Sequence, residues 1–455
     1  MIIFLVISAM GVGIVSASLQ QAVSESVDGC IIIMRGGTWN ENVVIDNDLT
    51  IIGGYGGGET VLSGDTTGDG IGDGSVFTIN YADVVLTGLA ITNGNAAGGG
   101  GTSGGGIYND QGTLTLNDVA LTGNTANFGG GIYNDHGTVI MNGDSSISDN
   151  RAVAGGGVYN DDGTLVMTGD SSITENTGSG VYNNGGTVNM HDSSSIAFNT
   201  NTIHGGGVYN RGGTLNMCDS ASISDNQVGD SGGGVYNTEG GTFIMNDDSS
   251  ISGNTAINGG GVCTASSTFV MNGRSSISDN IGTFGGGVYN GGASTMNMNG
   301  ESSISMNRAT GDGGGGIYNT GDSMLNINGD SSVTDNNAIQ NGGGILNWFA
   351  MVNMNDYSSI SDNFATHNGG GISNSGGTIT MNGQSSITGN TVTNNGGGIL
   401  NSFGIVNMND GASISGNAAG ETYNGGGIFN ITGTLNIPEP RSNYVYGNTG
   451  GDIDP

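Results

Sequence analysis

The sequence predicts an all-β chain: a right-handed, single-stranded parallel β-helix of about fifteen or sixteen coils, with three short strands per coil and a short N-terminal capping helix. Three observations carry this. A motif G-G-G-[IV]-x-[NT] recurs thirteen times, once with Gly178-Ser179-Gly180 in place of the triplet, placing its β-branched residue at Ile107, Ile132, Val158, Val181, Val208, Val235, Val262, Val288, Ile317, Ile345, Ile372, Ile399 and Ile428. The intervals average about 27 residues, a period that marks a solenoid or an array. Apolar residues within each unit are spaced by two, as in strands, and no stretch has a 3.6-residue pattern. All three prolines lie in the last 18 residues, as expected if every earlier strand uses its N–H groups on neighbouring coils.

Along the chain, residues 2–15 form an apolar run too short to span a bilayer comfortably. Small residues at Val15-Ser16-Ala17 fit a signal-peptidase site, so residues 1–17 read as a secretory signal. A buried N-terminal strand is the alternative. Ser18-Leu19-Gln20-Gln21 fits a capping box opening a helix through Val27, which would cover the open end of the first coil. Residues 18–100 form this cap and the first irregular coils. There, "IIIMRGGTWNENVVIDNDLTIIGG" reads as three short strands and residues 60–92 as about three more.

Residues 101–437 form the regular coils. Each holds the glycine motif, a second strand such as Thr164-Leu165-Val166-Met167, and a third such as Ser145-Ser146-Ile147-Ser148-Asp149-Asn150. Stacked about 4.8 Å apart, like residues sit over like residues. The interior holds one β-branched ladder, one Leu/Met pair of ladders and one Ile ladder. The glycines turn the corner into the first strand, where positive φ or close approach to the next coil leaves no room for Cβ. Asn closes each strand, at Asn160 and Asn176 for instance, because it tolerates left-handed backbone and can hydrogen-bond to its stacked copies. Residues 438–455 form the C-terminal edge, which Pro438 and Pro440 would blunt against further strand addition.

Composition narrows the functional classes. With 94 glycines in 455 residues and a net charge of −33, the chain has two marks of disorder. Only 10 % of residues are charged, however, and the apolar ones are periodic. There is no lysine and there are six arginines, so the surface repels phosphate backbones and nucleic acid is excluded as a partner. No segment after residue 17 reads as a membrane span. Cys30, Cys218 and Cys263 are an odd set, the last two in different columns, and no disulfide framework is expected.

The repeats resemble those of chlamydial polymorphic outer-membrane proteins, which alternate GGA[ILV] with FxxN. The likeness runs from residue 104 to about 430. It is good for the glycine motif (Gly232-Gly233-Gly234-Val235) and looser for the second, where Ile147 or Ile277 replaces Phe. The opening "SLQQAVSESVDG…GGTWNENVVIDNDLTIIGGYGGG" is similar to that of secreted pectate-lyase-like β-helix proteins, adhesin-like surface proteins among them. The chlamydial proteins end in an autotransporter barrel, and residues 1–455 contain no such segment. The resemblance implies an extracellular or cell-surface, adhesive or structural role. Its partners would be cell-surface glycans, envelope proteins or further copies of the chain.

Candidate sites are few. Asp65, Asp69 and Asp73 occupy positions 1, 5 and 9 of a loop similar to the calcium loops of thrombospondin-type repeats, with Gly70 at its turn. Thr67 stands at the third position, and a solvated loop is the other reading; no cofactor is required, and calcium is the candidate. Asp149 with Glu175, and Asp335 with Asp362, should stack as acidic columns. Asp248, Arg274 and Glu301 should form an exposed salt-bridge ladder. Tyr108, Tyr133, Tyr159, Tyr182, Tyr209 and Tyr236 form an aromatic column suited either to gripping sugars or to packing at the corner. Outward Ser-x-Ser pairs (Ser146/Ser148, Ser250/Ser252, Ser276/Ser278) raise ice binding as a minor alternative. His136, His191, His204 and His367 do not converge, and no Ser-His-Asp or paired-acid spacing is present. The expectation is therefore a non-enzyme. A carbohydrate-active enzyme is the runner-up, which a cleft lined by long loops with Asp beside Arg would favour.

Overall fold

In the computed structural model, which describes residues 4–8, 11–15, 18–98, 102–420, 425–441 and 444–454, the chain is nearly all β. It forms about 15 turns of a right-handed parallel β-solenoid with one short helix. Two compact units are distinguished, Met1–Asn201 with Gly206–Ser222, and Thr202–Gly205 with Ile223–Pro455.

A coil of the first unit runs through strands Val158–Asp161, Thr164–Met167 and Ser172–Thr174. Its neighbours match residue for residue: Ile132, Val158 and Val181 are in register, as are Val139 with Leu165, Met141 with Met167 and Ile147 with Ile173. All of these are fully buried, which stabilises the fold by roughly 1.5–3 kcal/mol per side chain. The second unit repeats the plan in Ile345–Trp348, Met351–Met354 and Ser359–Ser361. There Phe243 and Phe269 stack inside the core with ring centroids 4.7 Å apart.

The three strands per coil are present through the regular coils, and some coils add a short fourth. Short fourth strands follow the third in many coils, from Thr200–Asn201 in the first unit and from Gln227–Val228 to Thr391–Val392 in the second. Their inward residue is small, and Ala309, Ala338, Ala365, Val392 and Ala419 form a buried cluster of their own.

Each glycine of the triplet has its own reason. A Cβ on Gly129, at φ +63, would meet the Ile132 carbonyl. On Gly130 it would stand 2.5 Å from the Gly156 carbonyl of the next coil, and on Gly131 2.6 Å from Cγ2 of Ile147.

Two asparagine ladders run inside each unit. Asn109, Asn134, Asn160, Asn183 and Asn210 pass an amide hydrogen bond from coil to coil at 2.7 Å. Asn150 Nδ2 donates both to Asn176 Oδ1 and to the Leu121 carbonyl. The left-handed backbone expected of these asparagines falls instead on their neighbours, Asp149 (φ 55) before Asn150 and Asp162 (φ 48) after Asn160. The ladder explains why: the amide must point inward, so an adjacent outward residue absorbs the turn. Beside the second ladder runs a column of buried serines. Ser145 donates to the Asn142 carbonyl at 2.7 Å, but Ser171, Ser194, Ser249, Ser275, Ser358 and Ser385 have no partner. Ala221 and Ala412 occupy the same column.

The ends differ from the middle. The helix spans Leu19–Ser24, shorter than expected, with Ser18 accepting from the Gln21 N–H at 3.1 Å. The reciprocal half of the capping box is replaced by Glu41, whose carboxylate takes the Leu19 and Gln20 N–H groups at 3.0 Å. The Gln20 side-chain amide bonds both the N–H and the C=O of Val44, satisfying the edge strand Val43–Ile45 as a neighbouring coil would. Phe4–Ser8 and Gly11–Val15 form an antiparallel hairpin that pairs with Cys30–Asn40; Ser16 and Ala17 of the expected signal-peptidase site lie outside the described residues. Cys30–Asn40 and Leu49–Ser63 are long strands rather than short ones. At the other end Pro438 and Pro440 lie outside strands, but Val445–Tyr446 and Ile453–Asp454 still pair with Ile414 and Ile428. The prolines therefore do not end the stack.

Gly130→Ala should destabilise the protein by about 3 kcal/mol or more because backbone must shift. Gly240→Ala, at φ +80 with open space around it, should cost only about 1–2 kcal/mol. Denaturant midpoints separate the two. In the same assay Ser275→Ala should be neutral or stabilising by up to about 1 kcal/mol, since it removes a buried hydroxyl without a partner.

Candidate functional site

Alternation along the first strand turns the β-branched residue and Asn inward and the residue between them outward, which builds the tyrosine column. In the first unit Tyr108, Tyr133, Tyr159 and Tyr182 stack nearly parallel at 5.4, 5.1 and 4.7 Å, and Tyr209 meets Tyr182 edge-on. The ring faces are covered by each other, so edges and hydroxyls form the surface. Tyr108 donates to Asp135 at 3.2 Å and Tyr133 to Asp161 at 2.8 Å. Burial first, then the neighbouring carboxylates, pushes the phenols of Tyr108 and Tyr159 up to about 12 and that of Tyr133 higher still. His136 lies against Asp135 and its imidazole is held above the usual histidine range, chiefly by that hydrogen bond. In the second unit the column contains Tyr236, Cys263, Tyr289 and Tyr318. No disulfide joins Cys30, Cys218 or Cys263, and full burial raises Cys263 to about 12.

Each of the three aspartates of the irregular loop bonds to the loop's own backbone. Asp65 accepts the N–H groups of Gly68, Asp69 and Gly70. Asp73 accepts from Thr66 N–H, Thr66 hydroxyl and Thr67 N–H, and the Thr66 hydroxyl bond leads in holding it below the usual carboxylate range. Asp69 accepts from Ile71 N–H. These oxygens fold the loop upon itself. Among the described residues, no group of three or more His, Cys, Asp or Glu side chains is placed to hold a metal ion.

Pairing of the adjacent strands sets Asp149 beside Glu175 and Asp335 beside Asp362; all four are exposed, at left-handed φ. The salt-bridge ladder forms in part. Arg274 grips Asp248 with two bonds of 2.8 and 2.9 Å. Glu301 acts on the same guanidinium only through longer-range attraction. The three line a surface depression with Asp247, Gly273 and Gly300. His204 lies 3.8 Å from Asp230 and against the Tyr236 ring. No helix among the described residues is long and apolar enough to cross a membrane.

Sequence reasoning missed a groove in the second unit. It is lined by Leu346, Trp348, Ser373, Ser375, Leu400 and Ser402, with Asp312, Asn341 and Asn368 opposite. The signal was the break in the tyrosine column after Tyr318. Comparison with known proteins finds no matching family model, no matching curated protein and no matching solved structure.

Because the raised phenols are favoured neutral in the folded state, their contribution to stability is full below pH 10, the ordinary tyrosine value, and is lost as pH rises toward 12. Absorbance titration should show Tyr108 and Tyr159 ionising near pH 12 in the native chain and near 10 in urea. Stability should fall across the same window. Native ionisation near 10 would mean the column is open to water.

Proposed function

We propose that this chain is a secreted or cell-surface, adhesin-like structural protein without catalytic activity. Its outward columns would make repeated contacts with glycans, envelope proteins or other copies of itself. The observation that carries this reading is repetition in register: from Tyr108 to Tyr182 successive coils present the same phenol beside an acidic or amide rim, and at Tyr209 the phenol continues beside Arg211. A repeating surface suits a repeating partner, because each added coil adds a contact at no further cost in rotational freedom. The resemblance of the repeats to chlamydial surface proteins supports the same location and role.

A carbohydrate-active enzyme is the second reading, favoured by Asp248 lying beside Arg274. Three features weigh against it. The depression is lined by tight turns rather than long loops. Both carboxylate oxygens of Asp248 are engaged by the guanidinium. That pairing also raises the Arg274 proton affinity, the wrong direction for a base.

The test is binding of the labelled chain to whole cells and to a glycan array, with and without EDTA. Saturable binding is expected, reduced at least about tenfold by Asp135→Asn with Asp161→Asn at an unchanged unfolding midpoint. No binding to either target would leave only a scaffold role, and turnover of a glycan on the array would install the second reading.

A further inference from the structure

On the outer face of the first-strand sheet of the second unit the aromatic column is interrupted. Tyr289 and Tyr318 meet edge to face at 5.2 Å. The next residues in register are Leu346, Ser373 and Leu400, before Phe429 restores a ring. Where rings would lie there is a groove of about 180 Å³. Leu346 and Leu400 are 4 % and 9 % exposed and form its apolar floor, with Ser373 between them. Ser373 is itself only 4 % exposed and lines the groove.

The walls are of two kinds. Trp348 is 44 % exposed, and its ring neighbour is Phe349, edge-on at 5.9 Å. Unlike the stacked tyrosines, the indole is not sandwiched between rings. Ser375 and Ser402 follow Trp348 in register. Opposite, Asn341 donates to Asp312 at 2.6 Å and Asn368 to Asn341 at 3.0 Å, so the polar rim is already ordered.

We propose that this groove binds one neutral pyranose residue of a glycan. A pyranose combines a C–H face, which an indole accepts, with hydroxyls that need both donors and acceptors, which serine hydroxyls supply. The volume suits a single ring rather than a drug-sized ligand. An acidic sugar would be repelled by Asp312 and by the net charge of −33. An apolar peptide side chain would leave the Ser373 hydroxyl desolvated and unpaired. The proposal shares with the adhesive reading only the class of ligand and stands on different residues.

Trp39 and Trp348 are the two tryptophans, so the full chain carrying Trp39→Phe reports on the groove through Trp348 fluorescence. It would be titrated with methyl glycosides of neutral hexoses and N-acetylhexosamines, with methyl glucuronide, and with a leucine tripeptide. A saturable response to at least one neutral glycoside is expected, with half-saturation in roughly the millimolar range. Ser373→Leu continues the leucine column into the groove and should weaken binding at least about tenfold at an unchanged unfolding midpoint; Ser373→Ala should weaken it about threefold. Tyr133→Ala should leave the response intact. No response to neutral glycosides, a response that survives Ser373→Leu, or preference for the glucuronide or the tripeptide would each overturn the proposal. No cell binding by the unsubstituted chain, with the groove response intact, would overturn the adhesive reading alone.

Discussion

Everything in this protein depends on how closely one coil can lie on the next at the glycine corner. There the backbone of Gly130 and Gly131 donates to Gly155 and Gly156 in the following coil at 3.0 and 3.1 Å, with no space for a methyl group between them. That contact fixes the vertical registration. Given it, the β-branched, Leu/Met and Ile ladders align without further instruction, and both asparagine ladders find their partners. A one-residue slip would turn each interior side chain to the surface, so the corner, although it contributes no side chain, selects the core.

The same constraint governs what the surface can offer. Strict copying gives stripes, and in a stripe each group meets its own copy first. The tyrosines illustrate the consequence: their faces are used on one another, and what remains outward is a line of edges and hydrogen-bonded hydroxyls. A discrete pocket therefore requires the copying to fail locally. It fails at Leu346, Ser373 and Leu400, where loss of three successive rings leaves space that no neighbouring side chain occupies. Irregularity in a repeat is thus a better guide to specific recognition than its consensus.

Most of the fold was legible because its signals are large and repeated: Ile147, Ile173 and Met167 are fully buried, as their spacing requires. The fourth strand was not legible, because its inward residues are alanines such as Ala309 and Ala338, too small to register as a hydrophobic period. Its trace in the sequence is the pattern Asn-x-Ala, at Asn307–Ala309 and Asn336–Ala338. The position of the left-handed turn was misassigned by one or two residues, because Asn tolerates that conformation and also forms ladders, and sequence alone does not say which property a column uses. Of the sites, the Arg274–Asp248 pair followed from register, since both stand on one column. The groove did not, because it is made by absent rings and by loops whose lengths vary.

The acidity of the chain also reads differently once the backbone is known. A net charge of −33 invites a search for bound cations or a salt-loving medium. Yet 13 of the 26 non-glycine residues with positive φ among those described are aspartates, Asp149, Asp162, Asp335 and Asp362 included. Among side chains with a Cβ, Asp is one of the few that tolerate this region, because its short carboxylate can bond locally. Three such corners per coil, shared mainly between Asp and Gly, accumulate charge as a corollary of turn chemistry. These carboxylates are exposed and separated by a coil's rise, so their repulsion is met by solvent. The carboxylates with a claim to another purpose are those whose position the turns do not explain: Asp135 and Asp161 at the ends of the tyrosine hydroxyls, and Asp312 at the rim of the groove.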